Sequence, residues 1–95
     1  MLNIQEIAGA VEPIASEYEI KKVMLFGSYA DGSNTADSEV DLLVEFYAPY
    51  VSLLTISALK NQLEDVLKTE VDIIRLPIPE GSLINPESVV QIYAS

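Results

Sequence analysis

Three short runs, "KKVMLF" (Lys21–Phe26), "EVDLLVEF" (Glu39–Phe46) and "EVDIIRL" (Glu70–Leu76), constrain this chain most. Each is too short for an independent helix and rich in β-branched or aromatic residues, so each reads as a strand. The first is continuously apolar at its end and ends at Gly27, as a buried strand does. The second alternates: Glu39, Asp41, Leu43 and Glu45 share one face, and Val40, Leu42, Val44 and Phe46 share the other. The third puts Val71, Ile73 and Arg75 on one face and Asp72, Ile74 and Leu76 on the opposite one.

Two stretches of helical periodicity accompany the strands. Ile4, Ile7, Ala8, Val11, Ile14, Ala15 and Tyr18 recur at helical spacing, with Asn3 and Glu6 placed as a capping box. Pro13 removes one backbone donor within that stretch, which predicts a kink or two abutting helical pieces. Leu53, Ile56, Leu59, Leu63, Val66 and Leu67 form a second apolar stripe over a helix at 51–67, with Pro49 suited to its first turn and Lys60, Glu64 and Lys68 along its other side. The segment "PIPEGSL" is irregular by composition. The tail is ambiguous: Asn85-Pro86 suits a helix start, whereas Val89, Val90, Ile92 and Tyr93 favour a strand. The order predicts a small α/β (α+β) fold, a mixed sheet of three to four strands with helices packed against it. Its 95 residues are expected to form a single domain, 1–95.

Charge and composition narrow the partners. Fifteen acids against five bases give a net charge of −10, which repels bare nucleic acid and favours a basic protein partner. The apolar fraction of 49% is high for so acidic a chain and leaves apolar surface for such a partner or for a homodimer. There is no cysteine and no histidine, so thiolate or imidazole metal sites and Cys/His nucleophile pairs are excluded. No apolar run is long enough to span a membrane, and the start "MLNIQEIAG" lacks the pattern of a signal peptide. A cytoplasmic location is expected.

The stretch "LFGSYADGSNTADSEVDLLVEF" carries the chemistry. Gly27 after a strand permits a tight turn and close approach of a ligand, and a short helix beginning at Ser28 or Tyr29 would turn N–H groups toward an anion. Glu39 and Asp41, at alternate strand positions, lie roughly 6.5–7 Å apart along the chain and point the same way. Carboxylates so placed suit a hard divalent cation, and Asp72 on the third strand is the acid placed to complete the set. The same alternation also fits a solvated sheet face, although Asp72 between Val71 and Ile73 has no basic neighbour on its own face.

This stretch resembles the signature of the minimal nucleotidyltransferase (MNT) family of the DNA polymerase β-like superfamily: Gly-Ser, a ten-residue gap, then Asp-x-Asp. Here Gly27-Ser28 are followed by Tyr29 to Ser38 and then Glu39-Val40-Asp41, with "VDII" carrying the third acid. The resemblance implies that Gly27 and Ser28 bind the nucleotide triphosphate, and that Glu39, Asp41 and Asp72 are catalytic and hold Mg²⁺. It implies ATP as substrate, AMP transfer to a protein hydroxyl, and a HEPN-domain toxin as partner, with this chain as antitoxin. Some members have lost activity and neutralise the partner by contact. Two positions depart from the family pattern: Glu39 stands where Asp is usual, and Asp31 where Arg is common. Asp37 could supply a shorter carboxylate in place of Glu39.

Overall fold

A computed structural model describes residues 3–33, 35, 38–75 and 89–94. The chain runs α1 (Ile4–Glu17), β1 (Ile20–Phe26), α2 (Ser28–Asp31), β2 (Val40–Phe46), α3 (Leu53–Leu67), β3 (Val71–Arg75) and β4 (Val90–Ala94). The strands form one mixed sheet in the order β3-β2-β1-β4, with β1 antiparallel to β2 and β4, and β2 parallel to β3. A parallel pair needs a crossover, and α3 is that crossover.

Periodicity explains the packing. Ile7, Val11, Ile14 and Ala15 of α1 are buried, as are Leu59, Leu63 and Leu67 of α3. They share one core with Val23, Leu25, Val40, Leu42, Val44 and Val71 from one face of the sheet. Asn3 caps α1 by accepting from the Glu6 N–H at 2.8 Å. The helix runs through Pro13 as one element, because α1 continues to Glu17 on both sides of that residue.

The structure corrects several expectations around α3. Ser52, not a position near Pro49, caps the helix, its hydroxyl accepting from the Thr55 N–H at 3.1 Å; Pro49 lies in the preceding connection. Leu53 and Val66 leave the apolar stripe and stand exposed at 81% and 54%, since the sheet reaches only the Leu59–Leu63–Leu67 side. Glu64 turns its carboxylate to the Val71 N–H at 3.0 Å and so ties the end of the helix to the start of β3. Lys68 closes α3 in the left-handed region, at φ 56. The ambiguous tail resolves at its described end into strand β4; the proposed helix start at Asn85-Pro86, like Leu76 and the "PIPEGSL" segment, lies outside the described residues.

Val40, Leu42 and Val44 point into the core, so Asp41 and Leu43 point to the sheet face away from the helices. Leu43 is nonetheless only 1% exposed, flanked in register by Met24 on β1 and Ile74 on β3. The face that bears the acids therefore has an apolar floor.

Candidate functional site

The register of the parallel pair builds the site. Val40 lies beside Val71 and Asp41 beside Asp72. The tripeptide Glu-Val-Asp occurs twice, at Glu39–Asp41 and Glu70–Asp72, and the two copies sit side by side. The Val40 N–H donates to the Glu70 carbonyl at 2.8 Å and fixes the alignment. Each central valine is buried, which turns the flanking acids outward. Glu39, Asp41 and Asp72 each bring a carboxylate oxygen to within 4.8 Å of the others.

Electrostatics show that these acids repel one another. The Glu39 carboxyl is held above its ordinary pKa chiefly by Glu70, through a hydrogen bond and through charge, with desolvation, Asp41 and Asp72 adding to the effect. Asp41 is raised first by burial and then by the charge of Asp72. Acids brought together at such a cost to the charged form suit a cation. The converging donors are all hard oxygens, the set that favours Mg²⁺, Ca²⁺ or Mn²⁺ over softer metals.

Gly27 stands against this group from the other flank. It caps α2 at φ 77, a conformation that side chains rarely adopt. A Cβ built there would lie 2.5 Å from Asp41 Oδ2. Glycine is thus required twice, by the backbone and by the carboxylate it leaves room for. Ser28 opens α2, a single turn of four residues in which the Ala30 N–H donates to the Gly27 carbonyl at 3.1 Å. Phe26 pairs with Asp41 across β1 and β2, which places the Gly27-Ser28 turn directly beside the acids. Gly27→Ala is expected to displace the Asp41 carboxylate and weaken Mn²⁺ binding on the order of tenfold or more, read by calorimetric titration. Unchanged Mn²⁺ affinity would show that Asp41 does not depend on that space.

On the side of β3, a cleft of about 220 Å³ is lined by Glu39, Lys60, Glu64, Glu70, Val71 and Asp72. Glu70 is the residue that reading the strands one by one missed; the repeated Glu-Val-Asp was its signal. Asp31 is the last residue of α2, and Asp37 lies outside the described residues. Glu39 itself immediately precedes β2, and its side chain still brings a carboxylate oxygen to the group.

Comparison with known proteins agrees with this geometry. The pattern of the family "Polymerase beta, Nucleotidyltransferase" matches residues 10–88. A Methanocaldococcus jannaschii protein provisionally named a protein adenylyltransferase is 41% identical over 73 residues, covering 77% of this chain and 77% of that one. The protein adenylyltransferase MntA of Thermococcus cleftensis is 32% identical over 78 residues, covering 78% of each. The fold is also that of a chain in the solved complex of a tri-AMPylated Shewanella oneidensis HEPN toxin with its MNT antitoxin, at a TM-score of 0.73 and 17% identity over 97% of this chain and 73% of that chain. The chain therefore belongs to the polymerase β nucleotidyltransferase family, among its minimal nucleotidyltransferases.

Proposed function

We propose that residues 1–95 act as one minimal nucleotidyltransferase domain, in the cytoplasm, that transfers AMP from ATP to a protein hydroxyl and serves as the antitoxin of a HEPN toxin. The observation that carries this reading is the convergence of Glu39, Asp41 and Asp72 within 4.8 Å beside the Gly27-Ser28 turn. The names of the relatives, protein adenylyltransferases, support the reaction class. The MNT antitoxin seen with its HEPN toxin supports the partner.

Glu39, Asp41 and Asp72 are the residues that would hold Mg²⁺, which when bound offsets phosphate charge and polarises the phosphorus–oxygen bonds. Gly27 and Ser28 bind the triphosphate on the β1 side. The acceptor hydroxyl then approaches in line from the β3 side, where Asp72 is exposed at the cleft. Its oxygen bonds to the α-phosphorus, the bond to the pyrophosphate oxygen breaks, and pyrophosphate leaves. Asp72 is the carboxylate placed to take the hydroxyl proton. Incubation with α-labelled ATP, Mg²⁺ and the HEPN protein encoded beside this chain's gene is expected to label that protein. Labelling that does not require Mg²⁺, or its absence with an intact complex, would contradict the transferase reading.

One observation favours a second reading. Glu70 raises the pKa of the Glu39 carboxyl and so disfavours the ionised form that a metal needs. A chain whose metal set is so weakened neutralises the toxin by contact alone.

A further inference from the structure

The end of the sheet far from the acids carries a feature that the transferase reading leaves unused. Ile20 pairs with Phe46 at that end, whereas Phe26 pairs with Asp41 at the other, so the two ends lie roughly 20 Å apart along the strands. There, Ala15, Ser16, Glu19, Ile20, Tyr47 and Tyr93 line an open groove of about 420 Å³. Among the described residues that line it, Glu19 is the only charged one. Its backbone is held in the left-handed region at φ 54, and its carbonyl accepts from the Tyr47 N–H at 3.3 Å. Such a conformation is costly for a glutamate and persists where the surroundings enforce it. The backbone bond ties Glu19 to Tyr47, and both residues line the groove.

Tyr47 lines the groove, and the segment that follows it exposes further apolar side chains, with Arg75 donating to the Pro49 carbonyl within it. Tyr47, Tyr50, Leu53 and Leu54 are 55%, 89%, 81% and 83% exposed. They account for four of the five large apolar side chains standing exposed among the described residues, and they fall within positions 47–54. Clustering of that kind marks an interaction surface, whereas single exposed apolar residues do not. A second copy of this chain is a poor occupant, because it would bring together two bodies of charge −10. Two tyrosine rings and a carboxylate in one groove are the elements that hold a cationic side chain, by cation–π contact and by a charged hydrogen bond.

We propose that the Glu19–Tyr47–Tyr93 groove and the adjoining Tyr50–Leu53–Leu54 surface form the docking face for the HEPN toxin, an arginine or lysine of the toxin entering the groove. This assignment rests on the antitoxin reading above. It puts the docking face at one end of the sheet and the acids at the other, with the toxin's acceptor hydroxyl reaching the acids from the β3 side.

Calorimetric titration of the chain into the HEPN protein encoded beside its gene tests the assignment. Tyr50→Ser combined with Leu54→Ser, and separately Glu19→Lys, are each expected to weaken binding on the order of tenfold or more. Glu19→Lys also flattens the loss of affinity with added salt. Both variants should keep wild-type affinity for Mn²⁺. Tyr50 and Leu54 are so exposed that their replacement leaves folding intact, which circular dichroism checks. Variants that bind the toxin within about twofold of wild type would overturn the docking face and leave the antitoxin reading standing. A wild-type chain that does not bind the toxin would overturn the antitoxin reading and the docking face together. A wild-type dimer that Leu54→Lys disperses would assign the face to self-association and overturn it.

Discussion

Glu39→Asp is expected to raise Mg²⁺-dependent AMP transfer by about tenfold or more, because a misplacement near 1 Å at a reacting centre can cost about 10²-fold. The structure gives a reason for the direction. Glu39 reaches the acid group from outside β2, and the same reach lets its carboxyl engage Glu70. Glu70 thereby disfavours the ionised form of Glu39, the form that holds a metal. The shorter aspartate withdraws from Glu70 by one methylene and stays on the same side as Asp41. Its carboxyl should ionise at lower pH, so the acid limb of the rate profile should shift downward along with the gain in rate. A fall in transfer, with the acid limb unmoved, would show instead that the longer side chain is the fitted one. Single-turnover labelling across pH separates the two outcomes.

The fold was legible in the sequence wherever periodicity was strong. Leu59, Leu63 and Leu67 face the sheet as their spacing requires, and Val40, Leu42 and Val44 alternate into the core. Periodicity misled at the ends of α3, since a stripe continues as a pattern beyond the point where the sheet ends. Leu53 and Val66 lie there, and both are exposed. Surplus apolar surface was expected from composition, but its place at Tyr47–Leu54 was not, because Tyr47, Tyr50 and Leu54 fall in no apolar period and exposure is set by the fold.

Within the site, the Gly-Ser turn and the acids at 39, 41 and 72 could be named from spacing and resemblance. What spacing lacked was the register between distant strands. Only the pairing of Asp41 with Asp72 places Glu70 against Glu39, and only the close turn at Gly27 shows why a side chain there would strike Asp41 Oδ2. Non-local contacts of that kind carry no local signal.

Asp41→Asn bears on the central claim most directly, because it is expected to move stability and activity in opposite directions. Burial and the charge of Asp72 both raise the Asp41 carboxyl above its ordinary pKa. A carboxyl whose folded-state pKa exceeds its unfolded value binds its proton more readily in the folded chain. The metal-free protein therefore holds an increment of stability below the ordinary carboxylate range, and loses it as pH rises through the raised value. Asparagine has nearly the same shape and no charge, so at neutral pH it removes the repulsion that the wild type carries. The variant should melt at a higher temperature than the metal-free wild type, and the difference should vanish at acid pH. The same substitution removes a charged metal ligand and should lower transfer by about 10²–10³-fold. The decisive measurement is Mg²⁺-dependent AMP transfer by wild type and Asp41→Asn side by side, with melting temperatures taken on the same preparations. A more stable variant whose transfer falls by about 10²–10³-fold is the result predicted here; transfer at the wild-type rate in Asp41→Asn would contradict a metal-dependent site at Glu39, Asp41 and Asp72.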